Sequence, residues 1–164
     1  MDQMGTKLFR TLTIGICLLA FAAVNAVAAT SRSAVGTWRL DVSRSSYENM
    51  PAPKFEKLVV TTDKPDAVKW ALTGASNDGK TYISMYDGPI DGKDRPFGNS
   101  SVGNSIAYTR AASGVEWTVR NKSGAVIETG SSQLSPDGNT LTLKGTTQGP
   151  SGKSNFISVF ERVP

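Results

Sequence analysis

The 164-residue chain contains no histidine and one cysteine, Cys17. Without histidine it lacks the commonest general base, the commonest metal ligand and the usual charge switch near neutral pH. One cysteine allows no internal disulfide. Cys17 lies mid-way along an apolar run with Ile16 before it, which is not the setting of a lipid-anchored or catalytic thiol. No basic run is interleaved with aromatics: the 18 Lys+Arg and 14 Asp+Glu are scattered, so the electrostatic footprint of a nucleic-acid binder is missing. Cofactor and nucleophile motifs are missing too, and no cofactor is expected. Gly149-Pro150-Ser151-Gly152-Lys153-Ser154 is like the end of a phosphate loop. Thr147 stands where its first glycine belongs, however, and a strand-like run follows instead of a helix.

What is present begins with a leader-like segment. Lys7 and Arg10 precede an apolar run over residues 12–23, and small residues then dominate through Ala29. This is the three-part layout of a secretory signal peptide, and the run is shorter than the roughly 20 residues a spanning helix needs. The expectation is a signal peptide over 1–29, no membrane span, and one domain over 30–164 exported to the periplasm or outside the cell. That domain, about 135 residues, is large enough for a core without covalent staples. It carries 16 basic and 13 acidic residues, a net +3.

From residue 35 onward the chain alternates with period two, the mark of strands with one wet face. Trp38, Leu40 and Val42 share a face; so do Val68, Trp70 and Leu72, then Ile106 and Tyr108, then Val115, Trp117 and Val119. Asn77-Asp78-Gly79, Ser113-Gly114, Ser123-Gly124, Pro136-Asp137-Gly138 and Ser151-Gly152 separate such runs and read as hairpin turns. The pattern predicts an all-β fold: an antiparallel up-and-down meander of nine to ten strands closing into a small barrel, with the first strand against the last. Two connections are long. Residues 43–54 hold Pro51 and Pro53, and residues 87–104 are rich in Gly, Pro, Asp and Asn. The second is read either as a binding loop over the mouth or as surface irregularity with a short strand near residues 93–97.

Gly36-Thr37-Trp38 on the first strand, the long first connection, the meander and Arg162 near the end together resemble the calycin group, the lipocalins and their bacterial relatives. Gly36-Thr37-Trp38-Arg39-Leu40-Asp41, Ser46-Tyr47, Pro51-Ala52-Pro53-Lys54 and Asp91-Gly92-Lys93-Asp94 with Pro96 are similar to uncharacterised exported bacterial lipocalin-like proteins. A Thr-Asp-Tyr turn, the second lipocalin signature, is not visible. The resemblance implies a barrel plugged at one end by Trp38 under Arg162.

Function is less legible than fold. The favoured reading is a binding protein that holds a small apolar or amphipathic ligand in the barrel. Trp70, Tyr108 and Trp117 would line it, and Phe97 would anchor the 87–104 loop. Arg110 shares the Tyr108 face and could meet a ligand carboxylate, although a strand-end position reaching water is the favoured account of it. The alternative is a cell-envelope interaction or inhibitor protein acting through its outer face and the 87–104 loop. An enzyme working with carboxylates alone ranks last. Asp87, Asp91 and Asp94 lack the spacing of a calcium loop, and turn chemistry explains them.

Overall fold

A computed structural model describes residues 33–100, 102–112, 114–149 and 152–164. The leader expected over residues 1–29 lies outside them.

The described chain is an antiparallel meander of strands. They are β1 (Gly36–Leu40), β2 (Ser46–Tyr47), β3 (Phe55–Asp63), β4 (Ala67–Ala75), β5 (Thr81–Pro89), β6 (Arg95–Pro96), β7 (Ser105–Ala111), β8 (Gly114–Arg120), β9 (Val126–Leu134), β10 (Thr140–Gly149) and β11 (Gly152–Val163). Of these eleven, β2 and β6 are two-residue pieces inside the long connections, β6 falling within the short strand expected near residues 93–97. A 3-10 turn over Val42–Arg44 follows β1, capped by Asp41, which accepts from the amides of Ser43 and Arg44. The hairpins form where acidic and glycine residues meet: the Asp78 and Asp137 side chains accept from Lys80 and Asn139 amides. Gly79 and Gly138 take φ of 88° and 77°, which a side chain would resist.

The sheet order is β5-β4-β3-β1-β11-β10-β9-β8-β7-β6, with β2 added to β11. The first long strand therefore pairs with the last, Trp38 facing Arg162 and Leu40 facing Phe160. The ring is nearly closed. At the seam, β6 pairs with β7, and β5 is bridged by Met85, whose amide donates to the Gly98 carbonyl at 3.1 Å. Residues 95–98 thus run along the wall and complete it.

Two bulges adjust the alternation. Thr61 is the extra residue on β3 opposite β4, and Ile127 is the extra residue on β9 opposite β8. A bulge puts two residues against one and shifts which side chains point inward.

The core lies inside the ring as two clusters. Trp38, Leu40, Leu58, Val60, Leu141 and Phe160 form one; Val68, Tyr86, Ile106, Tyr108, Val115 and Val119 form the other. Trp38 and Phe160 are 0 % exposed. Burying side chains of this size is worth about 1.5–3 kcal/mol each, which is what holds the strands curled.

Candidate functional site

The two ends of the barrel differ in chemistry. One end is where β1 begins and β11 finishes. There Arg162 lies 4.2 Å above the centre of the Trp38 ring. Its guanidinium donates to the carbonyls of Gly138, Val35 and Ser33 at 2.8, 2.7 and 3.3 Å, and the Trp38 indole donates to Ala34 O at 2.9 Å. Arg110 sits at the same end. It forms a 3.2 Å ion pair with Asp63 and donates to the Lys64 and Pro65 carbonyls of the β3–β4 turn. Asp63 also accepts from the Ala34 amide at 2.8 Å. Arg110 and Arg162 thus both help to tie this end shut, and Arg110 lies at a strand end where it also reaches solvent.

The middle of the lumen is aromatic. Trp70 donates from its indole to the Tyr108 hydroxyl at 3.0 Å, Phe97 meets Trp70 edge-on at 5.9 Å, and the Tyr86 and Tyr108 rings are 4.9 Å apart. Three of the expected site residues, Trp70, Tyr108 and Phe97, therefore pack together. Tyr108 is 5 % exposed, and burial raises its hydroxyl pKa.

Trp117 belongs to a different set. It faces Tyr108 across the β7–β8 pair and Gly130 across the β8–β9 pair; Gly130 faces Gly145, Gly145 faces Phe156, and Phe156 faces Tyr47. This row crosses six strands. The two glycines at its centre leave room that the rings occupy: a Cβ on Gly130 would run into the Trp117 indole, and one on Gly145 would meet the Phe156 ring at 2.9 Å. The Trp117 indole donates to Glu128 at 2.9 Å. A second row, Glu56–Gly74–Tyr82, uses the same device on the far wall. Tyr82 reaches over Gly74 and donates to Glu56 at 2.5 Å. Tyr47 and Ser158 hydroxyls lie 2.9 Å apart nearby.

The solvent pattern separates the two halves. Toward the arginine end the apolar side chains Trp38, Leu40, Val60, Val68, Val115 and Phe160 are buried, while Arg110 reaches solvent. Toward the other end Glu56, Leu72, Tyr82, Trp117, Glu128, Leu143 and Phe156 all face inward and all remain half-buried. Desolvation raises the carboxyl pKa of Glu56, opposed by the Tyr82 hydrogen bond. Desolvation also raises that of Glu128, opposed by Trp117 and reinforced by the charge on Glu56.

Glu56, Glu128, Tyr82 and Tyr47 were not singled out from the sequence. Glu56 could have been, since it keeps the phase of Leu58 and Val60. Glu128 keeps the phase of Leu134, but the adjacent Ile127 also packs on the core at the bulge, so the letters of β9 point both ways. Asp87, Asp91 and Asp94 each pair with a different cation, Lys69, Arg95 and Arg120, so they do not converge on a common point.

No family model matches the chain, and no curated protein matches it. Among solved structures it is similar to the zebrafish ileal bile acid-binding protein complexed with cholic acid. The TM-score is 0.48 at 14 % identity, over 80 % of this chain and 100 % of that one. At that level of likeness the site rests on this chain's own residues.

Proposed function

We propose that this protein is an exported, lipocalin-like binding protein that holds a small amphipathic molecule in the glutamate-bearing half of its barrel. The observation that supports this most is the half-burial of inward-facing Leu72, Trp117, Leu143 and Phe156. A barrel filled solid by its own side chains would bury them. Apolar walls with a few fixed polar groups are the usual make-up of small-molecule sites. The leader-like residues 1–29 support export. Trp117 and Phe156 offer ring faces at the ligand's body, while Trp70, Tyr108 and Phe97 form the floor between ligand and closed end.

The test is extraction of the native exported protein with organic solvent and mass spectrometry of the extract. Tryptophan emission titrated with an apolar probe complements it, on wild type, Trp117→Phe and Trp70→Phe. A co-purifying molecule and a response lost mainly in Trp117→Phe are expected. An unchanged emission and an empty extract would sink the reading.

A second reading has one observation in its favour. A recess of about 730 Å³ over β7–β11 is lined by outward-facing Thr109, Thr118, Thr129, Lys144 and Asn155 among others, and also takes in Trp117, Gly130, Gly145 and Phe156 of the aromatic row. Its polar outward side suits an interaction partner better than an apolar ligand. Co-purification of a protein with an empty lumen would favour it.

A further inference from the structure

Formal charge is sorted along the barrel axis. Among the described residues, the inward-facing cations are Arg110 and Arg162 at the closed end, spent on Asp63 or on backbone carbonyls, and Arg95, which faces Ile106 across the β6–β7 pair and is held by Asp91. The inward-facing carboxylates of the solvent-reached half are Glu56 on β3 and Glu128 on β9, and the charge on Glu56 is felt at Glu128. Each has a single neutral donor, Tyr82 or Trp117. A carboxylate offers about four lone-pair positions, so each retains acceptor capacity facing the lumen. Among the described residues no lysine or arginine charge bears on the carboxyl of either one.

A half-buried carboxylate with spare acceptors and no cation is costly to keep ionised. A ligand that brings the missing positive charge removes that cost; one that brings a second negative charge adds to it. We propose that the lumen selects a cationic amphiphile, an ammonium or related amine on an apolar body, with the nitrogen held between Glu56 and Glu128 and the body against Trp117 and Phe156. This rests on the lumen reading above and reverses the polarity that Arg110 suggests from sequence. Ammonium binding between two acids gains from charge-assisted hydrogen bonds, and an ammonium approaching Trp117 gains further from the ring face.

Acceptance of the cation requires ionised glutamates, so affinity for an amine should rise with pH above the ordinary glutamate range. The groups facing Glu56 are the phenols of Tyr82 and Tyr47, and those facing Glu128 are the Trp117 indole, the Tyr108 phenol and Glu56 itself. The phenols stay protonated throughout, so the two carboxyls set the profile.

The experiment compares three probes of one chain length, dodecylammonium, dodecanol and dodecanoate, each below its micelle threshold. Binding to the full-length exported protein is read by tryptophan emission and calorimetry at pH 5 and pH 8. The expected order at pH 8 is ammonium, then alcohol, then carboxylate, with about tenfold or more between the first and last. Glu56→Gln and Glu128→Gln keep the acceptor oxygen that Tyr82 or Trp117 uses. Each should weaken ammonium binding by about tenfold and flatten its pH dependence, with alcohol binding unchanged. Dodecanoate binding as tightly as the ammonium, or ammonium binding untouched in both variants, overturns the charge selection while leaving the lumen reading in place. Failure of all three probes to bind overturns both.

Discussion

Arg162 is held by an indole face and three carbonyls at once, a set that ties the last strand to the chain entering the first. Removing the guanidinium in Arg162→Ala leaves the Gly138 and Val35 carbonyls short of donors and uncovers Trp38. The expected loss is about 2–4 kcal/mol by urea unfolding. Arg162→Lys recovers only part of it, because one ammonium cannot serve a planar fork's partners. The glutamates predict a pH effect of definite sign. A carboxyl whose folded pKa is raised contributes stability on the acid side, and loses it as pH rises from the ordinary 4.5 through the folded value. The turn carboxylates Asp41, Asp78, Asp91 and Asp137 are lowered by the hydrogen bonds they accept. Their stability is present above 3.8 and disappears as pH falls below it. Wild-type urea midpoints should therefore fall gently from pH 5 to pH 8, and the Glu56→Gln/Glu128→Gln double variant should show a flatter profile. An identical slope in both would place the two carboxyls in water.

At the scale of the element, strand β9 shows where sequence reading reaches its limit. The two strands before it, β7 and β8, alternate cleanly, and Ile106, Tyr108, Val115 and Val119 are buried as their spacing indicates. The hairpin turns are likewise where Asp-Gly and Ser-Gly stand. In β9 the bulge turns both Ile127 and Glu128 toward the core, and Gly130 and Ser132 carry no hydrophobic signal to settle the phase. A ladder register belongs to two strands at once, so one strand's letters do not contain it. The same holds for β6, whose two residues are a strand only because β7 is beside them. The aromatic floor was legible because large rings announce the buried face. The acid pair was not, because a lone glutamate in a strand normally marks the wet face. Gly130→Ala tests the row directly. A methyl there displaces the Trp117 ring from its place and from Glu128, so a cost of about 1–3 kcal/mol and a red-shifted emission are expected. Gly124→Ala, at a turn with open space around it, controls for glycine replacement in general, its cost confined to the positive φ of 83°.

For the whole molecule, the sheet order has a consequence for the rate at which the barrel forms. Read from the seam, the spatial order β6-β7-β8-β9-β10-β11-β1-β3-β4-β5 is the chain's own order rotated, with one long-range junction where Thr37 meets Val163. That junction closes a loop of the entire domain, and contacts of such separation slow folding. A circular permutant of residues 33–164, cut between β5 and β6 and joined from 164 back to 33 by a short turn, turns the junction into one more hairpin. Every extended ladder then links neighbours in sequence, and only the Met85–Gly98 bridge remains distant. Stopped-flow refolding of the permutant should be faster by about an order of magnitude. Its unfolding should be faster as well, because the seam loses its covalent tether.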